Sequence, residues 1–190
     1  MFGGGHLRPH RLSPLPLTAR YAAKTMIKIT QITELPLTEI APLIEEGERE
    51  GFRFLARLRD EWVNGEDRFN QPGEALFLTR CNRKIVGVCG LNRDSRDSTR
   101  QVGRVRRLYV PQSHRRSGIG RRLIHKVIDA ASVHFWELTV RTCSLEADQF
   151  YRSLGFKPVD EEHDTHSLRL ERNCTTRPCS RRRGAAEGRR

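Results

Sequence analysis

The stretch His114–Leu123, HRRSGIGRRL, lies between the apolar run VRRLYVP (105–111) and a long amphipathic pattern, so glycine and positive charge gather where a strand should turn into a helix. The first N–H groups of a helix lack intrahelical partners, and with the macrodipole they make a ready anion site. Gly118 and Gly120 clear side chains from the backbone, while Arg115, Arg116, Arg121 and Arg122 add charge. A pyrophosphate is the natural guest. The pattern is neither the P-loop, which ends in G-K-[ST], nor the dinucleotide G-x-G-x-x-G, which has a third glycine. A tight turn with solvated arginines accounts for these ten residues equally well, so the surrounding chain has to decide.

Working outward, the hydrophobic period changes several times. MIKITQI (26–32) alternates like a strand, and residues 37–63 carry apolar side chains at helical spacing (Ile40, Leu43, Ile44; then Phe52, Leu55, Leu58, Trp62), broken near Gly47 and Gly51 into two short helices. EALFLTRC (74–81) and KIVGVCGL (84–91) are apolar runs separated by Asn82-Arg83, the pattern of a hairpin, and GRVRRLYVP (103–111) is a further strand. After the glycine turn, Ile119, Leu123, Ile124, Val127, Ile128 and Ala131 repeat at three and four, which is a helix. ELTVRTC (137–143) reads as a strand, LEADQFYRSL (145–154) as a helix stopped by Gly155, and FKPV (156–159) with THSLRLE (165–171) as the closing strands. This is a single α/β (α+β) domain over residues 26–172. Residues 1–25 lack either period and read as a disordered N-terminal extension, with an organelle transit peptide as the other reading of an acid-free, Arg- and Ser-containing start. Residues 173–190 are equally aperiodic and read as a basic disordered tail.

Composition narrows the class of function. The chain has 190 residues and a formal charge of +12, but the tails hold most of that excess, so the domain itself is nearly ordinary and nucleic acid is not the expected partner. Five cysteines with no C-x-x-C pair, three of them (Cys81, Cys89, Cys143) inside strand-like runs, suggest a reducing, cytoplasmic setting. No run approaches the roughly 18 apolar residues of a membrane span, so no membrane partner is expected.

LYVPQSHRRSGIGRRLI (108–124) resembles the R-x-x-G-x-G acyl-coenzyme A motif of the GNAT superfamily of N-acetyltransferases, and EADQFYRSLGF (146–156) resembles that family's A-x-x-F-Y-x-x-x-G-F signature. The two stand in family order and at family-like spacing, and the element order matches across nearly all of 26–172. The resemblance implies a mixed, mostly antiparallel sheet of six to seven strands flanked by about four helices, with splayed central strands forming the cofactor cleft. It implies acetyl-CoA as co-substrate and no metal, with pantetheine amides against backbone at Leu108, Tyr109 and Val110. The pyrophosphate falls on amides of Arg115, Arg116, Ser117, Gly118, Ile119, Gly120 and Arg121. Tyr151 matches the tyrosine that protonates the departing thiolate, with a packing aromatic as the bland alternative, and an amide near Val110 is the expected oxyanion partner. The family's acceptor cleft maps to about 45–52 and 160–166, both acidic here, so a cationic amine, on a small molecule or a protein, is the acceptor weighed first. A homodimer is left open.

The sequence also departs from the family. Arg104 stands where many members carry a glutamate base, with Glu137 and Glu74 as replacement candidates, and Ser144 stands where many carry a pantetheine-bonding Asn. The alternative is therefore a GNAT-like binding module, weak in catalysis, whose basic tails contact nucleic acid. His163/His166 and His6/His10 lack the clusters of structural metal sites, and Trp62 and Trp136 are expected in the core.

Overall fold

A computed structural model describes residues 26–99 and 101–171; both expected tails lie outside the described residues. Strand β1 (Ile27–Ile32) leads into helices α1 (Leu37–Arg49) and α2 (Phe54–Asn64), followed by β2 (Ala75–Cys81), β3 (Lys84–Arg93) and β4 (Val102–Tyr109). A 3₁₀ turn (Gln112–His114) precedes α3 (Ile119–Ala131), then β5 (Glu137–Val140), α4 (Leu145–Arg152), β6 (Lys157–Pro158) and β7 (His166–Arg169). The seven strands form one sheet in the order β1-β2-β3-β4-β5-β7-β6. Only β4 and β5 run parallel; every other pair is antiparallel.

Local chemistry explains the elements. At the β2–β3 hairpin, Asn82 (φ 48°) and Arg83 (φ 71°) both take the left-handed conformation that a two-residue turn needs to match the strand twist. The stripe Ile119, Leu123, Ile124, Val127 and Ala131 of α3 is buried against one face of the sheet, with Phe77, Cys89, Leu91, Val105, Leu138 and Tyr151. The opposite face is covered by α1 and α2 through Ile40, Leu43, Ile44, Leu55, Leu58 and Trp62. Two expectations give way. Trp136 lies just outside β5, which begins at Glu137, and is 47% exposed. Cys143 lies beyond the end of β5, in an exposed loop.

The site is shaped by two features of β4. It pairs with β5 only over Val102–Arg104 opposite Glu137–Thr139, so the sheet opens beyond that point. On its other edge the register slips between Val88↔Tyr109 and Gly90↔Arg106, leaving an extra residue on β4, and Arg107 adopts φ 60°. The bulge turns Arg106 and Arg107 to the same face, where they pair with Asp67 (3.2 Å) and Glu61. It also needs close packing beside it. A Cβ at Gly90 would stand 2.3 Å from Phe69 Cε1, within a buried ring. Gly90→Ala is expected to cost about 1–3 kcal/mol, read as a lowered Tm in thermal unfolding.

Candidate active site

The turn between β4 and α3 is shaped by two residues with positive φ, Arg116 (63°) and Gly118 (82°). Nothing lies within 4 Å of a Cβ placed on Gly118, so the left-handed backbone and open space both favour glycine there. Helix α3 has no side-chain cap, and its first backbone bond is Arg122 N–H to Gly118 C=O (3.1 Å). Among the described residues, the N–H groups of Arg116, Ser117, Gly118, Ile119, Gly120 and Arg121 therefore make no hydrogen bond. Six consecutive unpaired donors at a helix start form a cradle that fits a pyrophosphate.

The side chains around this cradle do less than their charge suggests. Arg115, expected among the anion contacts, bends back to donate to Val110 C=O (2.9 Å), pairs with Glu50 and lies 5.8 Å from the centre of the Tyr109 ring. The Ser117 hydroxyl donates to His114 C=O, and Arg121 reaches Ser153 Oγ (3.2 Å). Ile119 is buried against the sheet, so only its backbone can serve. Gly120 differs from Gly118: a Cβ there would only touch the Phe150 ring at 3.4 Å, an ordinary van der Waals contact between α3 and α4.

Along β4, Leu108 packs partly buried on the α3 side, whereas the Tyr109 side chain points the other way, between Phe52 and Phe54, and donates to Glu50 (2.8 Å). Any cofactor contact by Tyr109 is thus through its backbone. Burial pushes the Tyr109 phenol above its usual range, and the Glu50 bond adds to this. Burial also works to raise the Glu50 carboxyl, but hydrogen bonds from Arg115 and Tyr109 outweigh it and hold the group below the usual carboxylate range. Arg107 and Leu108 have no register partner on β3 or β5, and this bulge lies two residues before the expected oxyanion position.

Tyr151 on α4 is buried in the core on the α3 side, edge-on to Phe150 (5.2 Å) and Phe156 (5.3 Å). It stands 6.2 Å from the ring of His166, the partner of Val140 where β5 ends. Its hydroxyl has no hydrogen-bond partner among the described residues, and desolvation raises the phenol above its usual range, so that like an ordinary phenol it is protonated at neutral pH. Such a group can donate a proton but cannot accept one. Ser144 caps α4, its Oγ accepting from Ala147 N–H (3.1 Å), so the oxygen is engaged while the hydroxyl proton remains to be given.

The candidate bases separate. Glu74 accepts from Gln71 N–H (3.2 Å) and Arg93 N–H (3.1 Å), pinning a loop. Glu137 is half-buried with no partner among the described residues. Arg104 lies 3.5 Å from Asp164 and donates to His163 C=O (3.2 Å). His163 is exposed, but His166 is buried and bonded to Asp148 (3.0 Å) and Thr165 (2.9 Å), so the two rings do not share a site. Among the described residues no group of three metal-ligating side chains comes together, and no helix is long and apolar enough to cross a membrane. Sequence reasoning missed the bulge, although the doubled Arg106-Arg107 breaks the alternation of β4 and signals it. It also missed the Asp94–Arg96–Asp164 pairing, in which Asp164 is far from the other two in the chain.

A cradle of unpaired amides beside two parting parallel strands matches the geometry that the GNAT resemblance implies. A family model described as the acetyltransferase (GNAT) domain matches residues 45–171, and the chain belongs to that family. An N-acetylaspartate synthetase of Xenopus tropicalis is 33% identical over 111 residues, covering 54% of this chain and 40% of its own length. The chain thus spans well under half of that relative. A candidate acetyltransferase from Exiguobacterium sp. 255-15 superposes with a TM-score of 0.67 at 29% identity, over 76% of this chain and 93% of that one. A Salmonella typhimurium protein of similar description, solved with acetyl-CoA, shares the fold at 15% identity (TM-score 0.56; 80% and 99% covered).

The two glycines of the turn should respond differently. Gly118→Val is expected to weaken coenzyme A binding by about tenfold or more, because a branched side chain enters the open space before the amides and resists positive φ. Gly120→Ala should stay within a few-fold, since its Cβ makes only van der Waals contact. Calorimetric titration with coenzyme A reads both.

Proposed function

We propose that this domain transfers an acetyl group from acetyl-CoA to a primary amine of a small molecule or protein by direct attack of the amine. The observation that carries the reading is the conjunction of the six unpaired amides of Arg116–Arg121, the gap between β4 and β5, and the buried, protonated phenol of Tyr151 beside it. Acetyl-CoA, when bound, supplies the activated acyl carbon. The turn amides hold the pyrophosphate, and Gly118 keeps the approach open. The backbone of the Arg107–Leu108 bulge, near the expected Val110 position, is where an N–H would stabilise charge building on the thioester oxygen. As the new N–C bond forms and the C–S bond breaks, the Tyr151 hydroxyl gives its proton to the departing sulfur and recovers one from solvent. The amine proton leaves to water, since position 104 on β4 is an arginine paired with Asp164 rather than a carboxylate.

The relative named N-acetylaspartate synthetase makes an N-acetylated amino acid, which supports transfer to an amine and puts aspartate among the acceptors to try. We place the protein in the cytoplasm, a reading supported by the free thiols of Cys81, Cys89 and Cys143. Release of thiol from acetyl-CoA across an amine panel tests the reading; coenzyme A binding without thiol release on any amine would instead favour a binding module. Tyr151→Phe keeps the ring packing and removes the proton, so kcat should fall by roughly 10²–10⁴ while coenzyme A affinity holds. Full turnover in that variant would leave Tyr151 a packing residue.

A further inference from the structure

A cleft of about 380 Å³ opens on the face of the sheet turned away from α3, with Thr139 and Asp164 at one end and Glu137, Val102 and Asp97 along its wall. Its position follows from strand alternation. Leu138 and Val140 point into the core beside α3, so Glu137 and Thr139 point to the other face. Thr139 is paired with Arg104, the last residue at which β4 and β5 hold together. The inner end of the cleft therefore abuts the gap between the strands, on the side opposite the helix whose amides form the anion cradle.

The lining is electronegative. Six of its ten residues are carboxylates, against one arginine and His163. Asp94 and Asp164 are compensated by Arg96, which pairs with both, and by Arg104 at 3.5 Å from Asp164. Asp97 is consumed by its own loop, accepting from Thr99, Gln101 and Val102. Glu137 is left without a partner among the described residues, half-buried in the wall. A second observation points the same way. Thr139 Oγ1 and Asp164 Oδ1 are buried and make no hydrogen bond, in residues only 7% and 3% exposed, and Asp164 Oδ1 has only the 3.5 Å ion-pair contact with Arg104 Nε. Leaving buried oxygens unpaired is costly, and donors brought by a ligand would satisfy both. An amine offers donors, and an ammonium offers three with no acceptor of its own.

We propose that the acceptor carries a second positive charge, which docks on Glu137, while its reacting amine sits at the inner end against Thr139 and Asp164. Thr139 and Glu137 are two residues apart on one strand, roughly 7 Å, a span suited to a short α,ω-diamine or a lysine-like chain. The proposal rests on the acetyl-transfer reading for its reacting end and on the cleft alone for its charge preference.

The test compares cadaverine, pentylamine and aspartate as acceptors for the full chain, by thiol release at low and high salt. Cadaverine should exceed pentylamine in kcat/KM by about tenfold at low salt, with a margin that narrows as salt screens the field. Glu137→Gln should shrink the cadaverine-to-pentylamine ratio about fivefold or more, mainly through KM; because both substrates meet the same protein, the ratio is insensitive to partial misfolding. Calorimetric titration of cadaverine into the coenzyme A-saturated protein reads the cleft without turnover, and its heat should be lost in Glu137→Gln. Aspartate or pentylamine turning over as fast as cadaverine, or an unchanged ratio in Glu137→Gln, overturns the proposal and leaves acetyl transfer standing. Glu137-dependent cadaverine binding with no turnover on any amine supports the cleft assignment and overturns acetyl transfer. Absence of cadaverine binding together with no turnover of any of the three amines overturns both.

Discussion

Strands β4 and β5 hold together over only three residue pairs, and the parting of these parallel neighbours sets the geometry of the whole site. A sheet cannot open in its middle without leaving backbone donors and acceptors unpaired, which in a buried setting is expensive. The chain limits that cost in two ways. The bulge at Arg107–Leu108 interrupts the β3–β4 register, so the irregular backbone is concentrated in one short stretch. The turn that follows carries the opening out to the start of α3, where helix geometry already leaves amides unpaired. Unsatisfied polarity thus runs along one line from the middle of the sheet to the helix terminus, and an extended ligand with amides and a pyrophosphate can satisfy it along its length.

The two faces of the sheet are treated differently. On the α3 side the parting strands are backed by an apolar cluster that includes Tyr151, Phe156, Val140 and Cys89, and desolvation there raises the Tyr151 phenol and the Cys89 thiol alike. Both groups are held neutral; the phenol is the proton donor proposed above, and the thiol packs. On the other face charged side chains are buried in pairs. Arg107, with only 4% of its side chain exposed, is compensated by Glu61, and Arg96 ties Asp94 to Asp164 across a long sequence separation. Removing one member of such a pair commonly costs about 3–5 kcal/mol, because the other is left buried and uncompensated. These pairs therefore fix the shape of the face, and the charge available to a ligand is what remains after pairing.

That distinction changes how the acidic segments read. In sequence, residues 45–52 and 160–166 look like equivalent reservoirs of negative charge near an acceptor cleft. In the fold, Glu50 is spent on Tyr109 and Arg115 and Glu46 accepts from Gln112 N–H (3.3 Å), whereas the 160–166 segment lines an open cleft with Glu137. A count of carboxylates does not distinguish these cases; the position of the arginines opposite them does.

The sequence by itself determined the order of elements, because period two and period 3.6 alternate clearly along the chain, and it determined the place of the anion turn, because Gly118 and the helix after it are local features. It also marked Tyr151 within a short signature whose aromatic and glycine spacing survives without tertiary information. Only the tertiary structure decided which edges of β4 are paired, that Arg115 turns away from the turn, that Gly120 packs beside Phe150, and that Trp136 and Cys143 lie outside the core. Each of these depends on a partner distant in the chain, and a strand's periodicity reports which face a residue occupies but not what stands opposite it.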